Sequence, residues 1–185
     1  MKKFLLLAAL LFAVAAAHAQ TPAAKKVDAA KSSIRFVTRM MNGPVEGQFK
    51  RFDATVAFDP AKPEATQAEF QVDLGSIDLG NAEGETEAKR KAWLHIEGFP
   101  KAKFVAESVK QSAPGKYTAT GSLTIKGISQ PVTAPFSLDE AGNARTVEGQ
   151  FTLKRLAFKI GEGPWADTDT VADEVLVKFR FTLPK

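Results

Sequence analysis

Apolar residues recur at every second position along most of this chain. Ile34, Phe36, Thr38 and Met40 alternate with Ser33, Arg35, Val37 and Arg39, the period of a strand that buries one face. Val45, Gly47 and Phe49 repeat the pattern. Phe52, Ala54, Val56 and Phe58 continue it one position out of phase, which predicts a β-bulge between Phe49 and Phe52. Ala68, Phe70, Val72 and Leu74 form a third alternating stretch, and Ala102, Phe104 and Ala106 a fourth. Tyr117, Ala119, Gly121, Leu123 and Ile125 follow, then Val132, Ala134, Phe136 and Leu138, then a turn at Ala141-Gly142-Asn143. Val147, Gly149, Phe151 and Leu153 begin a seventh strand that slips phase before Leu156, Phe158 and Ile160. Val175, Val177, Phe179, Phe181 and Leu183 alternate cleanly to the end. One segment breaks the period. Residues 83–96 are rich in Glu, Ala, Lys and Arg and predict a helix, with Gly98 and Pro100 to stop it.

The pattern therefore predicts an all-β protein of eight antiparallel strands with one short helix. Closing such a sheet into an eight-stranded β-barrel hides the apolar face and leaves no edge; a two-sheet sandwich is the alternative. A membrane barrel needs girdles of Tyr and Trp at its strand ends. This chain has one Tyr and places neither Trp in an alternating stretch, so the apolar face points inward. That face mixes the bulky Phe36, Phe49, Phe58, Phe70, Phe104, Phe136, Phe151 and Phe179 with the small Ala119, Gly121, Ala106, Ala134 and Gly149. Two readings stand level. Small and large residues interlock to fill the interior, or the small ones leave a Phe-lined space for one apolar ligand.

The ends set the compartment. Lys2 and Lys3 precede an uncharged apolar run from Phe4 to Ala17, and Ala17-His18-Ala19 offers small residues at a cleavage site. Residues 1–19 read as a secretory signal peptide and the expected destination is the periplasm. Residues 20–31 read as a flexible lead-in and 32–185 as a single binding domain. The formal net charge is +4, and removal of Lys2 and Lys3 halves it. No basic block remains, which argues against nucleic-acid binding. The chain has no cysteine, so disulfide staples and thiolate chemistry are excluded.

Catalytic motifs are sparse. No Gly-x-Ser-x-Gly elbow or Ser-x-x-Lys pair occurs, and His95 is the single histidine left after cleavage. Asp167, Asp169, Asp173 and Glu174 form an acidic cluster without EF-hand spacing, read as a solvated loop. No catalytic residue, metal ligand or cofactor is assigned.

Several stretches resemble the YceI-like family of bacterial exported lipid-binding proteins. Ser32-Ser33-Ile34-Arg35-Phe36 is similar to its opening strand, and Val45-Glu46-Gly47-Gln48-Phe49 with Phe52 to its G-x-F hairpin. Residues 91–100 resemble its helix-to-strand passage. Gly121-Ser122-Leu123-Thr124-Ile125-Lys126-Gly127 resembles its G-x-L-T-I-x-G strand, and Leu153-Lys154-Arg155-Leu156-Ala157-Phe158 its L-x-R-x-x-F strand. The resemblance implies a lipocalin-like barrel, binding of a polyisoprenoid lipid or prenyl quinone, and no enzyme activity. Residues 161–168 resemble a subgroup that accompanies a membrane b-type cytochrome, which makes such a cytochrome a second expected partner; a homodimer is a third. To the inward Phe residues, Ala119 and Gly121, the candidate ligand contacts add Trp93, Arg155, Phe158 and Trp165. Lys154, Arg155, Trp165 and Asp167 are the candidates to meet a polar head group.

Overall fold

A β-strand spanning Ser33–Met40 (β2) turns back into Gly43–Phe49 (β3), as the alternation requires. The computed structural model describes residues 23–41 and 43–185; the signal-peptide reading of residues 1–19 lies outside them. The remaining strands are β1 Lys25–Lys26, β4 Phe52–Ala57, β5 Gln67–Asp73, β6 Ile77–Asp78, β7 Lys101–Ala113, β8 Lys116–Ile125, β9 Ile128–Ala141, β10 Ala144–Lys154 and β11 Glu174–Pro184. The α-helix, α1, spans Ala82–Lys89. All eleven strands belong to one antiparallel sheet in the order β1-β4-β5-β7-β8-β9-β10-β11-β2-β3-β6.

The protein is all-β with one helix, as expected, but the eight-stranded closed barrel is corrected to a single curled sheet with two ends. The reason lies between Phe49 and Phe52. The phase slip there is not a bulge. The strand stops at Lys50-Arg51 and its halves pair in opposite directions, β3 with β2 and β4 with β5. Each half keeps a free edge, and a two-residue strand covers each, β6 on β3 and β1 on β4. Covered edges do not recruit other chains. The β6 clasp is charged. Hydrogen bonds to Asp78 from Gln48, Lys50 and the Gly80 N–H hold its carboxyl down to about 2. The lead-in contributes structure too. After β1, Asp28 N donates to Thr182 O at 2.8 Å, tying residues 25–31 to β11.

Tight turns set the long strands in register. Lys126 and Gly127, both at positive φ, form the two-residue loop between Ile125 and Ile128, as a hairpin turn with the twist of its strands demands. Pro131 and Pro135 sit inside β9, which looks forbidden for a ladder. They are tolerated because β9 pairs with β10 only from Phe136 onward, leaving the edge of the first half of β9 unpaired. A 3-10 turn at Arg155–Phe158 packs beside that half, and Gln130 Nε2 donates to Ala157 O at 3.4 Å. The predicted continuation through Leu156, Phe158 and Ile160 is thus a turn, closed by Lys159 in the left-handed region.

The helix is shorter than predicted. Asn81 caps its start by accepting from Gly84 N at 2.7 Å, and it ends at Lys89 rather than at 96. Helix-favouring composition continues past that point, but a helix would carry Leu94 away from the interior. The chain instead winds back through turns, Leu94 N donating to Ala88 O and Ile96 N to Lys89 O, which buries Leu94. Leu94 joins Leu74, Ile77, Leu123, Ile125, Val132 and Phe158 in a packed core at this end of the sheet.

Candidate ligand cavity

The sheet curls around a cavity of about 530 Å³, to which every strand except β1 contributes. Phe36, Phe49, Phe58, Phe70, Phe104, Phe136, Phe151 and Phe179 all line it, with Ala119, Trp93, Arg155 and Trp165. Many inward rings stay only half-buried, Phe36, Phe70, Phe104, Phe151 and Phe179 among them, although they belong to the interior face. That pattern decides between the two readings of the sequence: the interior is hollow. At about 24 cal/mol per Å³, an empty apolar void of this size would forfeit on the order of 10 kcal/mol of contacts. A domain's whole stability is about 5–15 kcal/mol, so a hollow of this size is too large to be a packing defect.

Two predicted contacts, Gly121 and Phe158, do not line the cavity. Gly121 is not on the wall. A Cβ there would stand 2.2 Å from Val105 O and 2.7 Å from the Phe104 ring. Gly47 lies under the Phe36 ring and Gly149 under the Phe179 ring in the same way. These glycines therefore make no empty space. Each lets a neighbouring strand's Phe lie flat along the wall, a cross-strand pairing of the kind that fixes register. Phe158, 1% exposed, belongs to the packed core and does not reach the cavity.

One end is capped by α1, the turns after it and residues 155–173. Asn81, Gly84 and Ala88 recur at three- and four-residue spacing and face the cavity. Arg155 also borders it, with most of its donors taken by main-chain carbonyls. It is 2% exposed. Its Nε donates to Ala172 O at 3.0 Å, Nη1 to Ile160 O at 2.8 Å and Gly161 O at 3.3 Å, and Nη2 to Val171 O at 2.7 Å. Burial pulls its pKa down, and the Asp173 charge opposes that shift. Arg155 is the brace of the cap. Lys154 and Asp167 are exposed and do not line the cavity. Asp167 accepts from Asp169 N and Thr170 Oγ1, and Asp173 from Leu156 N, so the acidic cluster ties turns together. His95 packs edge-on against Phe99.

Sequence reasoning missed a second brace. Lys126, in the β8–β9 turn, is buried, and its Nζ donates to Lys91 O, Lys159 O and Glu162 Oε2. It joins the turns after α1 to the segment carrying Trp165. The Lys126 ammonium holds the Glu162 carboxyl below its ordinary value of 4.5. A depressed carboxyl stabilises the fold above its unfolded pKa, and that contribution fades as pH falls through the lower folded value. The melting-temperature gap between the wild type and Glu162→Gln should therefore be full at neutral pH and should shrink below pH 4.5. Thermal unfolding of both proteins from pH 7 to pH 3 checks this. A gap independent of pH would remove the ion pair from the account.

The YceI-like domain model matches residues 26–183. A UPF0312 protein of Yersinia enterocolitica is 35% identical over 97 residues, 52% of this chain and 50% of the relative, so the match spans half that relative's length. The crystal structure of Burkholderia cenocepacia BcnA superposes with a TM-score of 0.82 at 41% identity, covering 84% of this chain and 98% of that one. A polyisoprenoid binding domain from Saccharophagus degradans shares the fold, with a TM-score of 0.69 at 12% identity over 86% and 97% of the two chains. By sequence over nearly its whole described length, and by the curled sheet around an apolar cavity, this chain belongs to the YceI-like domain family.

Proposed function

We propose that this chain is an exported binding protein that holds an isoprenoid-type lipid, a polyprenyl lipid or prenyl quinone, as carrier or sequestering protein, and catalyses no reaction. The observation that carries the reading is the 530 Å³ cavity walled by Phe, Val, Leu, Ile and Ala. Each ligand CH₂ moved from water into such a wall contributes about 0.8 kcal/mol, so a branched hydrocarbon tail binds tightly with few polar contacts. The Saccharophagus domain of the same fold, a polyisoprenoid binding domain, supports the ligand class. Lys2, Lys3 and the apolar run after them support export to the periplasm.

Native mass spectrometry of protein purified from the periplasmic fraction, followed by lipid extraction, tests the proposal. The expected protein begins at Gln20 and carries a lipid mass that extraction identifies as isoprenoid. A protein that is empty, and that takes up no polyprenyl lipid on reconstitution, would overturn it. Capture of a b-type cytochrome by that empty protein would point instead to a docking module.

A further inference from the structure

Among the described residues, two buried side-chain atoms lack a hydrogen-bond partner, Trp93 Nε1 and Thr66 Oγ1, and both residues line the cavity. They sit at opposite ends of it. Thr66 precedes β5, and Leu74, which follows β5, packs with Leu94 in the capped end. The seven residues between them span about 23 Å. A hydroxyl can turn to suit what is near it, whereas an indole N–H can only donate, along one direction. A buried donor left unmade carries its full desolvation cost, and native structures keep one only for a reason.

Other polar groups at the capped end are already engaged. Four of the five Arg155 N–H groups are spent on main-chain carbonyls. The Asn81 side chain caps α1 and reaches Leu79 O, and Glu87 pairs with Arg90. The Arg155 guanidinium lies 6.0 Å from the Trp93 ring centroid, where its charge polarises the indole and strengthens it as a donor.

Resting on the lipid-binding reading, we propose that Trp93 Nε1 donates to a neutral acceptor oxygen on the ligand's head group, a carbonyl of the quinone, amide or ester kind. The ligand then lies head-first under α1 with its tail running toward Phe58 and Phe136. An anionic head fits this end poorly. A phosphate needs several donors, whereas Trp93 offers one and four of the five Arg155 N–H groups are already spent on main-chain carbonyls. Trp93 is thus a specificity-determining residue that selects the polarity and the direction of the ligand.

The chain's two tryptophans stand together at this end, Trp93 and Trp165 with ring centroids 5.5 Å apart, so their fluorescence reports which end of the ligand arrives there. The experiment titrates the protein with a short-tailed prenyl quinone, a prenyl hydrocarbon of the same tail length and the matching prenyl phosphate. The wild type should bind the quinone about tenfold more tightly than the hydrocarbon, the worth of one hydrogen bond in a dry site. The quinone should quench both tryptophans, and its bound carbonyl stretch should move to lower frequency. Trp93→Phe keeps a ring and removes the N–H; it should lose the preference and the frequency shift while binding the hydrocarbon as before. A preference that survives in Trp93→Phe, an unshifted carbonyl in the wild type, or tighter binding of the phosphate than of the quinone would overturn the assignment. The wild-type carbonyl shift decides the matter even where the variant folds poorly. A wild type that binds none of the three probes would overturn the lipid reading itself, whereas equal binding of quinone and hydrocarbon would overturn only the role of Trp93.

Discussion

Arg155→Met should cost about 3–5 kcal/mol, because buried carbonyls lose hydrogen bonds to a charged donor, each worth about 1.5–3 kcal/mol. Methionine replaces the stem of the side chain but none of its donors. The carbonyls of Ile160, Gly161, Val171 and Ala172 are left facing each other around the vacated guanidinium. A buried acceptor stripped of its donor costs about 1–3 kcal/mol. The total stays below four times that figure because residues 162–164 and 166–169 are exposed, and water can reach part of the loop. For a chain of this size each kcal/mol shifts the melting temperature by about 2–4 °C, so a fall of roughly 10 °C is expected. Arg155→Lys should recover little, because a single ammonium cannot span four carbonyls set around a planar fork. Lys154→Met, one position away and exposed, should change stability by less than about 0.5 kcal/mol. Thermal unfolding of the three variants measures this. An Arg155→Met protein melting within a few degrees of the wild type would show that the cap stands without its brace.

What the sequence disclosed and what it concealed divide along physical lines. Inward Phe residues were legible because a strand has a strict period of two. Once Phe36 or Phe179 is placed on a face, its neighbours on that strand follow. The two-residue strands Lys25–Lys26 and Ile77–Asp78 carry no pattern, since two positions cannot display a period. They exist because β3 and β4 leave edges to cover, a tertiary fact. Leu156, Phe158 and Ile160 imitate a strand, and only the left-handed backbone at Lys159 reveals the turn. Lys126 reads as an ordinary hairpin residue before Gly127. That its ammonium turns inward onto Lys91, Lys159 and Glu162 depends on segments far away in the chain. Arg155 reads from the sequence as a candidate head-group contact. Its donors were already claimed by carbonyls that no spacing rule locates.

Ala119→Phe should weaken ligand binding about a hundredfold and spare the fold, and Gly121→Ala should do the opposite. Both positions alternate onto the same face of β8, and the sequence alone ranks them as equivalent. The neighbours separate them. Ala119 lines the cavity and stands across from Ala134 on β9 and Val109 on β7, so a ring built there meets small side chains and open space. Its benzyl group takes the volume of several ligand CH₂ groups at about 0.8 kcal/mol each. A loss of about 3 kcal/mol, close to a hundredfold in affinity, follows. The melting temperature of the ligand-free protein should hold or rise, because the ring restores contacts that a hollow lacks. At Gly121 even a methyl group meets Val105 O at 2.2 Å. Main chain cannot swing aside as a side-chain tip can, so overpacking should cost about 1–3 kcal/mol. The cavity wall is the Phe104 ring rather than Gly121, so the molecules that do fold should bind a prenyl quinone with unchanged affinity. Fluorescence titration beside thermal unfolding reads both halves of the contrast. Wild-type affinity in Ala119→Phe would mean that the ligand lies outside the curled sheet.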